Sequence, residues 1–336
     1  MHHEAKFWRP LDNQQVRCLL CPHQCTIPSG RRGICGVREN KQGKLISLIY
    51  GSCSSIADDP IEKKPLYHFY PGSLVLSLGS VGCTMKCAHC QNASISTAQP
   101  YHFPFRELTP EQTVAIAQEH NCRGIAWTYN EPTIWHEYAY DTMKYAKRQG
   151  LATVYVTNGY INEDPLRELS PYLDAMNIDV KAFTESFYHK ICTARLEPVL
   201  NTCELAKNLG IHVELTYLVI PGYNDTLDEI NKFCRWVLEK LGRETPVHFT
   251  RFHPDHQMTN LPATPKETMI TIYSHAQNQG LLYAYLGNIA HGSYENTRCP
   301  ICHKTVIERH GFSIQLTGVN NKRCMYCGTI LPIISD

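Results

Sequence analysis

The stretch that decides the fold is Val81-Gly-Cys83-Thr-Met-Lys-Cys87-Ala-His-Cys90-Gln-Asn92, in which three cysteines follow the spacing Cys-x3-Cys-x2-Cys. A [4Fe–4S] cube has four iron corners that bind thiolates, so three thiolates on one loop leave one iron open to a small molecule. The alternatives are a zinc site with a distant fourth ligand and a run of unrelated buried cysteines. Such close spacing favours the cluster, and we predict that Cys83, Cys87 and Cys90 hold a catalytic one.

Composition and charge restrict the class of protein. The chain has 336 residues, enough for one full-size α/β domain with small appendages. A net charge of +1 gives no electrostatic reason to expect a nucleic-acid partner. No apolar run approaches the roughly 18–20 residues of a membrane span, and the N-terminal residues lack the apolar segment of a signal peptide. We therefore expect a cytoplasmic protein that binds neither nucleic acid nor membranes.

A second group of cysteines lies near the N-terminus, with the spacing Cys18-x2-Cys21-x3-Cys25-x9-Cys35. Little apolar patterning surrounds it, so a metal would have to contribute folding free energy to residues 11–40. Four cysteines suit either zinc or a second Fe–S cluster. The remaining alternative is a reduced, metal-free cap.

A third group consists of two Cys-x2-Cys pairs near the C-terminus, Cys299 with Cys302 and Cys324 with Cys327. Two such knuckles facing each other make a tetrahedral site of four sulfurs, which predicts zinc, with iron as the alternative. Between the pairs, residues 305–316 alternate around a His-Gly turn as a hairpin does. We expect a structural ribbon, and we expect the five cysteines outside the three groups to be structural as well: Cys53, Cys122, Cys192, Cys203 and Cys234.

Between these modules the chain alternates strand and helix patterns. Apolar runs such as Leu74–Leu78 and Val247–Arg251 predict strands, and Thr109 before Pro110 predicts the start of a helix. Strands separated by helices imply a parallel sheet with right-handed crossovers. The predicted fold is α/β, a partial, open (β/α)6-type barrel over residues 71–290, between an N-terminal Cys-rich cap (1–70) and a C-terminal zinc-ribbon-like module (291–336).

Polar side chains follow the predicted strands at the point where each strand ends. Barrel enzymes place their chemistry at this edge, so several polar residues in register with the cysteine loop predict one site. The residues that form this predicted ring are Tyr129, Asn130, Glu131, Pro132, Thr157, Asn158, Gly159, Asp179, Lys181, His253, Asp255, Gly287 and Asn288.

These motifs together resemble the radical SAM superfamily, whose members bind S-adenosylmethionine (SAM) at an open iron. Within it the chain resembles the branch of the pyruvate formate-lyase activating enzymes, and more closely the family called the AmmeMemoRadiSam-system radical SAM enzyme. The resemblance spans nearly the whole chain. It is carried by the cysteine loop, the N-terminal cysteines, the C-terminal ribbon, Thr128-Tyr-Asn-Glu-Pro132, Val156-Thr-Asn-Gly159, Asn177-Ile-Asp-Val-Lys181, Val219-Ile-Pro-Gly-Tyr-Asn-Asp225 and Phe249-Thr-Arg-Phe-His-Pro254.

The resemblance implies a SAM-binding role for each predicted site residue. Tyr129 and Asn130 replace the glycines of a Gly-Gly-Glu motif whose glutamate, here Glu131, holds the SAM amino group. The other implied contacts are Asn158 beside the ribose, Asp179 and Lys181 at the ribose and carboxylate, and His89 and His253 beside the adenine. Val156 stands where activating enzymes usually carry an aspartate of a cation site.

The implied activity is reductive cleavage of SAM at a [4Fe–4S] cluster. It gives a 5′-deoxyadenosyl radical that takes hydrogen from a substrate, which we expect to be a small molecule. The alternatives are an activator that installs a glycyl radical on a partner protein and, in another class, a non-catalytic Fe–S electron carrier or metal-bearing binding module. Implied partners are an electron donor such as flavodoxin or ferredoxin, and Memo-like and AMMECR-like proteins.

Overall fold

A computed structural model describes residues 3–289 and 292–335 of the chain. Its centre is one eight-stranded sheet in which each strand pairs with the next along the chain. The first strand is antiparallel to the second, and the other seven are parallel. In chain order the strands are Ser55–Pro60, Leu74–Gly79, Gly124–Trp127, Ala152–Thr157, Ala175–Asp179, His212–Val219, Val247–Arg251 and Ala284–Gly287.

Helices connect the parallel strands. The first long one begins where the sequence predicted, because the Thr109 hydroxyl accepts from the Gln112 backbone N–H and the Gln112 side chain accepts from Thr109 in return. The α-helices of the barrel are Pro110–Glu119, His136–Arg148, Glu163–Leu169, Leu196–Asn208, Leu227–Trp236 and Lys266–Gln279. The α/β fold with a partial parallel barrel is therefore confirmed.

The interior of the barrel is filled at one end by a segment that the sequence patterns did not place. Ile61, Leu66 and Phe69 form a buried apolar cluster with Val75 and Val154 of the sheet. The Glu214 carboxylate, buried on its strand, accepts hydrogen bonds from two backbone N–H groups of the same segment, at 3.0 and 2.7 Å. The segment is therefore fixed to the sheet by apolar packing and by buried hydrogen bonds.

The N-terminal region forms small antiparallel sheets around a core of its own. One contains His3–Glu4, Lys44–Ser47 and Arg38–Lys41, and another contains Trp8–Pro10, Val16–Cys18 and Thr26–Ile27. Ala5 and Leu45 complete the core from outside residues 11–40. Apolar burial therefore contributes more to this region than the sequence patterns suggested. The Ser55–Pro60 strand belongs to the main sheet, although it lies within the segment predicted as the cap.

The C-terminal region contains the predicted hairpin, formed by Thr305–His310 and Ser313–Gln315. It packs on the barrel instead of standing apart. The buried Arg309 guanidinium donates to the Tyr67 carbonyl (2.8 Å), and the Ile334 N–H donates to the His68 carbonyl (2.7 Å). The predicted boundary between residues 290 and 291 lies outside the described residues, and the three-part division of the chain stays a prediction. Among the described residues, no helix is long and apolar enough to cross a bilayer.

Candidate active site

A cavity of about 1120 Å³ opens at the carboxyl ends of the parallel strands. It exceeds the range of about 300–1,000 Å³ that is typical for one drug-sized ligand. Nine of the predicted site residues line it together: Cys83, Cys87, His89, Cys90, Asn130, Glu131, Asn158, Asp179 and Lys181. Asn288, the last strand-end residue of the ring, lines it as well.

The cysteine loop is held by backbone hydrogen bonds on both sides. The Gly82 N–H donates to the Ile95 carbonyl at 3.0 Å, and the Lys86 N–H donates to the Cys192 carbonyl at 3.0 Å. The loop therefore keeps its shape through its surroundings. Among the described residues, no fourth cysteine lines the cavity, so the thiol set fits a cluster with one open iron.

The charges near the loop suit a metal-bound set of thiolates. Burial raises the pKa of the Cys83 thiol, so its thiolate needs a nearby cation. The Lys181 ammonium lies 3.0 Å from the Asp179 carboxylate on the cavity wall. Burial alone would lower the pKa of Lys181, but Asp179 and the thiol of Cys87 raise it well above its ordinary value. Lys181 therefore stays charged beside the cysteine loop.

Tyr129 takes a backbone conformation that favours glycine, with φ = +71°. This is the position where the resemblance expects a glycine, so the backbone path of the motif persists. For a non-glycine residue this backbone conformation costs of order 1–2 kcal/mol. Contacts of the Tyr129 side chain offset this cost. Its hydroxyl donates to Asp59 at 2.5 Å, and the Lys64 ammonium lies 4.7 Å from the ring centre.

Asn130 and Glu131 tie neighbouring strand ends together. The Asn130 side chain accepts from the Ser80 N–H (2.9 Å) and donates to the Gly82 carbonyl (3.0 Å). The Glu131 carboxylate accepts from the Thr133 N–H, the Thr157 hydroxyl and the Asn158 N–H, at 2.7–3.0 Å. Burial raises the pKa of Glu131. Both side chains face the cavity and at the same time position the loops that carry the other site residues.

Asn158 lies directly beside the cysteine loop. Its side-chain amide donates to the Thr84 hydroxyl at 3.0 Å and lies 3.6 Å from the Cys83 sulfur. Asn158, which is predicted to contact a ribose, therefore also contacts Cys83, one of the predicted cluster ligands.

The two histidines predicted beside the adenine occupy different environments. His89 is buried on the cavity wall, its Nδ1 has no hydrogen-bond partner among the described residues, and burial lowers its pKa to about 3. A neutral ring with an unpaired nitrogen suits stacking and hydrogen bonding with a ligand. His253 is exposed and does not line the cavity. Its role beside the adenine stays a prediction.

The remaining wall of the cavity comes from two parts of the chain that the site prediction did not include. One is the segment Glu62–Tyr67, and the other is the ribbon hairpin at Arg309–Phe312. Arg309 joins them, because its guanidinium bonds the Tyr67 carbonyl and lies 4.0 Å from the Glu62 carboxylate. The ribbon was predicted as a structural module, and the structure places its hairpin on the cavity wall.

The sequence analysis did not predict Cys192 as a site residue. It was grouped with the structural cysteines, but its thiol neighbours that of Cys87 and contributes to the raised pKa of Cys87. The sequence signal that could have indicated a different role is that Cys192, unlike Cys122, Cys203 and Cys234, does not fall in a clear strand or helix pattern.

The four ribbon cysteines converge as predicted. The sulfurs of Cys299 and Cys327 lie 3.5 Å apart, those of Cys302 and Cys324 lie 3.7 Å apart, and all four lie within 4.8 Å of one another. A tetrahedral zinc with bonds of about 2.3 Å spaces its sulfurs by about 3.8 Å. The site therefore fits a single tetrahedral ion, while the identity of the metal stays a prediction.

The N-terminal cysteines lie away from the large cavity. Cys18, Cys21, Cys25 and Cys35 line a second, small cavity, and Thr84 of the cysteine loop lies on its wall.

Comparisons with known proteins agree with this architecture. The model of the radical SAM superfamily matches residues 78–237. An uncharacterized protein of Methanocaldococcus jannaschii is 48% identical over 98% of this chain and 99% of its own. The pyruvate formate-lyase 1-activating enzyme of Escherichia coli K12 is 21% identical over 51% of this chain and 71% of its own. A radical SAM methyltransferase from Sphaerobacter thermophilus shares the fold, with a TM-score of 0.51 and 16% identity over 65% of this chain and 67% of its own.

Proposed function

Because this chain belongs to the radical SAM superfamily, we propose that it cleaves SAM reductively at a [4Fe–4S] cluster and uses the resulting radical on a small molecule. Cys83, Cys87 and Cys90 would hold the cluster. When bound, the cluster and SAM supply one-electron cleavage of a sulfonium carbon–sulfur bond, which yields methionine and a 5′-deoxyadenosyl radical able to take hydrogen from a C–H bond. The electron would come from a donor such as flavodoxin or ferredoxin.

The side chains around the cavity would bind and orient SAM. Lys181, held charged by Asp179, suits the SAM carboxylate. The buried Glu131 carboxylate suits the amino group and also positions the Asn158 backbone, to which it is bonded at 2.8 Å. His89 offers an unpaired ring nitrogen to the adenine. Glu131 and His89 are buried, which would limit the access of water to a radical formed beside them.

One observation carries the preference for a small substrate. The Glu62–Tyr67 segment and the ribbon hairpin form part of the cavity wall, together with the strand ends and the cysteine loop. Its volume of about 1120 Å³ leaves room for SAM and a second small molecule. An activator of a glycyl radical enzyme would need access for a loop of a large protein. Memo-like and AMMECR-like proteins would then share a pathway with this chain without supplying a radical-bearing loop.

The activity is tested by incubating the anaerobically reconstituted full-length protein with SAM and a strong reductant, and measuring 5′-deoxyadenosine. We expect cleavage by the wild type and by a Cys203→Ala/Cys234→Ala control, in which buried cysteines remote from the cavity are changed. The Cys83→Ala/Cys87→Ala/Cys90→Ala variant should produce none. Failure of the wild type to cleave SAM would favour a non-catalytic electron carrier.

The class of substrate is tested by EPR spectroscopy of the reduced protein with SAM and candidate partner proteins from the same genome. We expect no persistent radical on protein and a low-mass product from an extract of small molecules. A glycine-centred doublet on a partner, dependent on the three cluster cysteines, would make the chain an activating enzyme.

A further inference from the structure

The four N-terminal cysteines surround a cavity, but they are not arranged for a single metal ion. Within residues 3–289 and 292–335, only the ribbon cysteines form a group of three or more potential metal-ligand atoms within 4.8 Å of one another. No three sulfurs among Cys18, Cys21, Cys25 and Cys35 are therefore as close as a zinc ion with bonds of about 2.3 Å requires. All four are free thiols that line the same cavity.

The other two cysteine groups of the chain can be compared with the N-terminal group, one as a site for a single ion and the other as a site for a cluster. The ribbon sulfurs show the close spacing of a one-ion site, at 3.5 and 3.7 Å for two of the pairs. The cluster cysteines Cys83, Cys87 and Cys90 line a cavity without meeting that spacing. An iron–sulfur cluster separates its thiolates by the width of the inorganic core, whereas one ion draws them together. The N-terminal set matches the cluster cysteines in this respect and differs from the ribbon.

A buried cation accompanies the N-terminal thiols. The Arg38 guanidinium, which is 1% exposed, lines the cavity, and its Nη1 lies 4.0 Å from the Cys18 sulfur. Its second Nη donates to the buried Glu137 carboxylate, which fixes the guanidinium in place. Donors aimed at cluster sulfurs stabilise the negative charge of a thiolate-bound cluster and tune its potential.

The same cavity adjoins the loop of the SAM cluster. Cys83 faces the large cavity, while the next residue, Thr84, lies on the wall of the N-terminal one. The His23 ring donates to the Thr84 carbonyl at 2.7 Å. The Cys35 carbonyl oxygen lies so close to Gly82 that a Cβ added there would meet it at 2.6 Å. The residues on both sides of Cys83, Gly82 and Thr84, therefore contact the N-terminal cysteine segment directly.

We propose that Cys18, Cys21, Cys25 and Cys35 bind a second iron–sulfur cluster, through which electrons from a reduced flavodoxin- or ferredoxin-class donor reach the cluster at the Cys83 loop. For each SAM cleaved, the donor loses one electron and the sulfonium gains it. The exposed Ile34 on the wall of the N-terminal cavity gives a donor protein an apolar contact near the thiols. The relay part of the proposal rests on the proposed function, whereas the cluster itself does not.

The cluster is tested by metal analysis of full-length proteins reconstituted anaerobically with iron and sulfide. The Cys83→Ala/Cys87→Ala/Cys90→Ala variant should retain about two or four irons per chain with equal sulfide, the count distinguishing a two-iron from a four-iron cluster. Zinc should stay near one per chain, in the ribbon. A variant with no iron, or with zinc rising to about two per chain, would overturn the assignment. This readout does not depend on SAM cleavage, so it stands even if the proposed activity fails.

The relay is tested with Cys25→Ser, which changes a half-buried ligand at the edge of the site. We expect 5′-deoxyadenosine formation driven by reduced flavodoxin to fall at least about tenfold. Formation driven by dithionite should stay within about twofold of the wild type, which shows that the fold and the Cys83 cluster are intact. Equal rates with flavodoxin in wild type and variant would refute the relay, and so would an equal loss with both reductants.

Discussion

Replacing Arg309 by alanine tests whether the ribbon is a fixed wall of the active-site cavity. The guanidinium is 1% exposed and makes three hydrogen bonds, to the Tyr67 carbonyl, the Thr297 hydroxyl and the Glu295 carbonyl, at 2.8–3.0 Å. It is also the buried cation nearest to Glu62, at 4.0 Å. Removing one partner of a buried ionic contact lowers the free energy of unfolding by about 3–5 kcal/mol, because the other partner stays buried without a counter-charge.

The loss should appear as local undocking of the ribbon before the whole protein unfolds. Hydrogen exchange measured by mass spectrometry should report it at the backbone bonds between the ribbon and the barrel, including Ile334 N–H to His68 O and Tyr70 N–H to Ile334 O. A loss of about 4 kcal/mol would speed exchange there by several hundredfold if exchange proceeds through this opening. Peptides of the central strands should change much less.

Arg298→Ala is the matched control, because Arg298 is an exposed ribbon arginine with one 3.4 Å bond to the Ser293 hydroxyl. It should change stability by less than about 0.5 kcal/mol. If Arg309→Ala and Arg298→Ala give the same exchange at the ribbon–barrel bonds and the same urea midpoint, Arg309 does not hold the ribbon in place.

Three further outcomes are expected. Protein purified in air should retain about one zinc per chain, and Cys302→Ser should lose it, since closed four-sulfur zinc sites do not depend on redox state; metal analysis showing neither zinc nor iron in the wild type would contradict this. Burial lowers the pKa of His68 in the folded protein to about 3, whereas in the unfolded chain it has its ordinary value of about 6.5. Between these two pH values the unfolded chain binds a proton at His68 and the folded chain does not. The free energy of unfolding should therefore fall by up to about 1.4 kcal/mol for each pH unit below about pH 6. Urea titrations at several pH values should show that this pH dependence is smaller in His68→Gln, by the contribution of one proton. Glu131→Gln replaces one acceptor oxygen by an NH2 group that faces an N–H or hydroxyl donor, which should destabilise the site by about 1–3 kcal/mol. Calorimetry should show weaker SAM binding by this variant, and an unchanged affinity would remove Glu131 from the proposed site.

Local patterns were sufficient wherever the physical cause is local. The start of the helix at Pro110 depends on a capping box of four residues, Thr109–Gln112, and the strand Val247–Arg251 depends on its own apolar run. The helix start and the strand bounds therefore agree with the prediction. Parallel strands bring their carboxyl ends to one edge, which is why strand-end residues as distant as Asn130 and Lys181 line one cavity. His253 follows its strand in the same way but is exposed, because the chain beyond a strand end is free to turn outward.

What the sequence by itself determined is therefore the three cysteine groups and the parallel barrel, since cysteine spacing and hydrophobic periodicity are both properties of short stretches. Only the tertiary structure decided that Cys192 neighbours Cys87, that Ser55–Pro60 joins the main sheet, and that Arg309 closes the cavity against Tyr67. It also distinguished the ribbon cysteines, whose sulfurs lie within 4.8 Å of one another, from the other two cysteine groups. These contacts join residues that are far apart along the chain, and their free energy depends on burial and on partners that appear only when distant segments pack together.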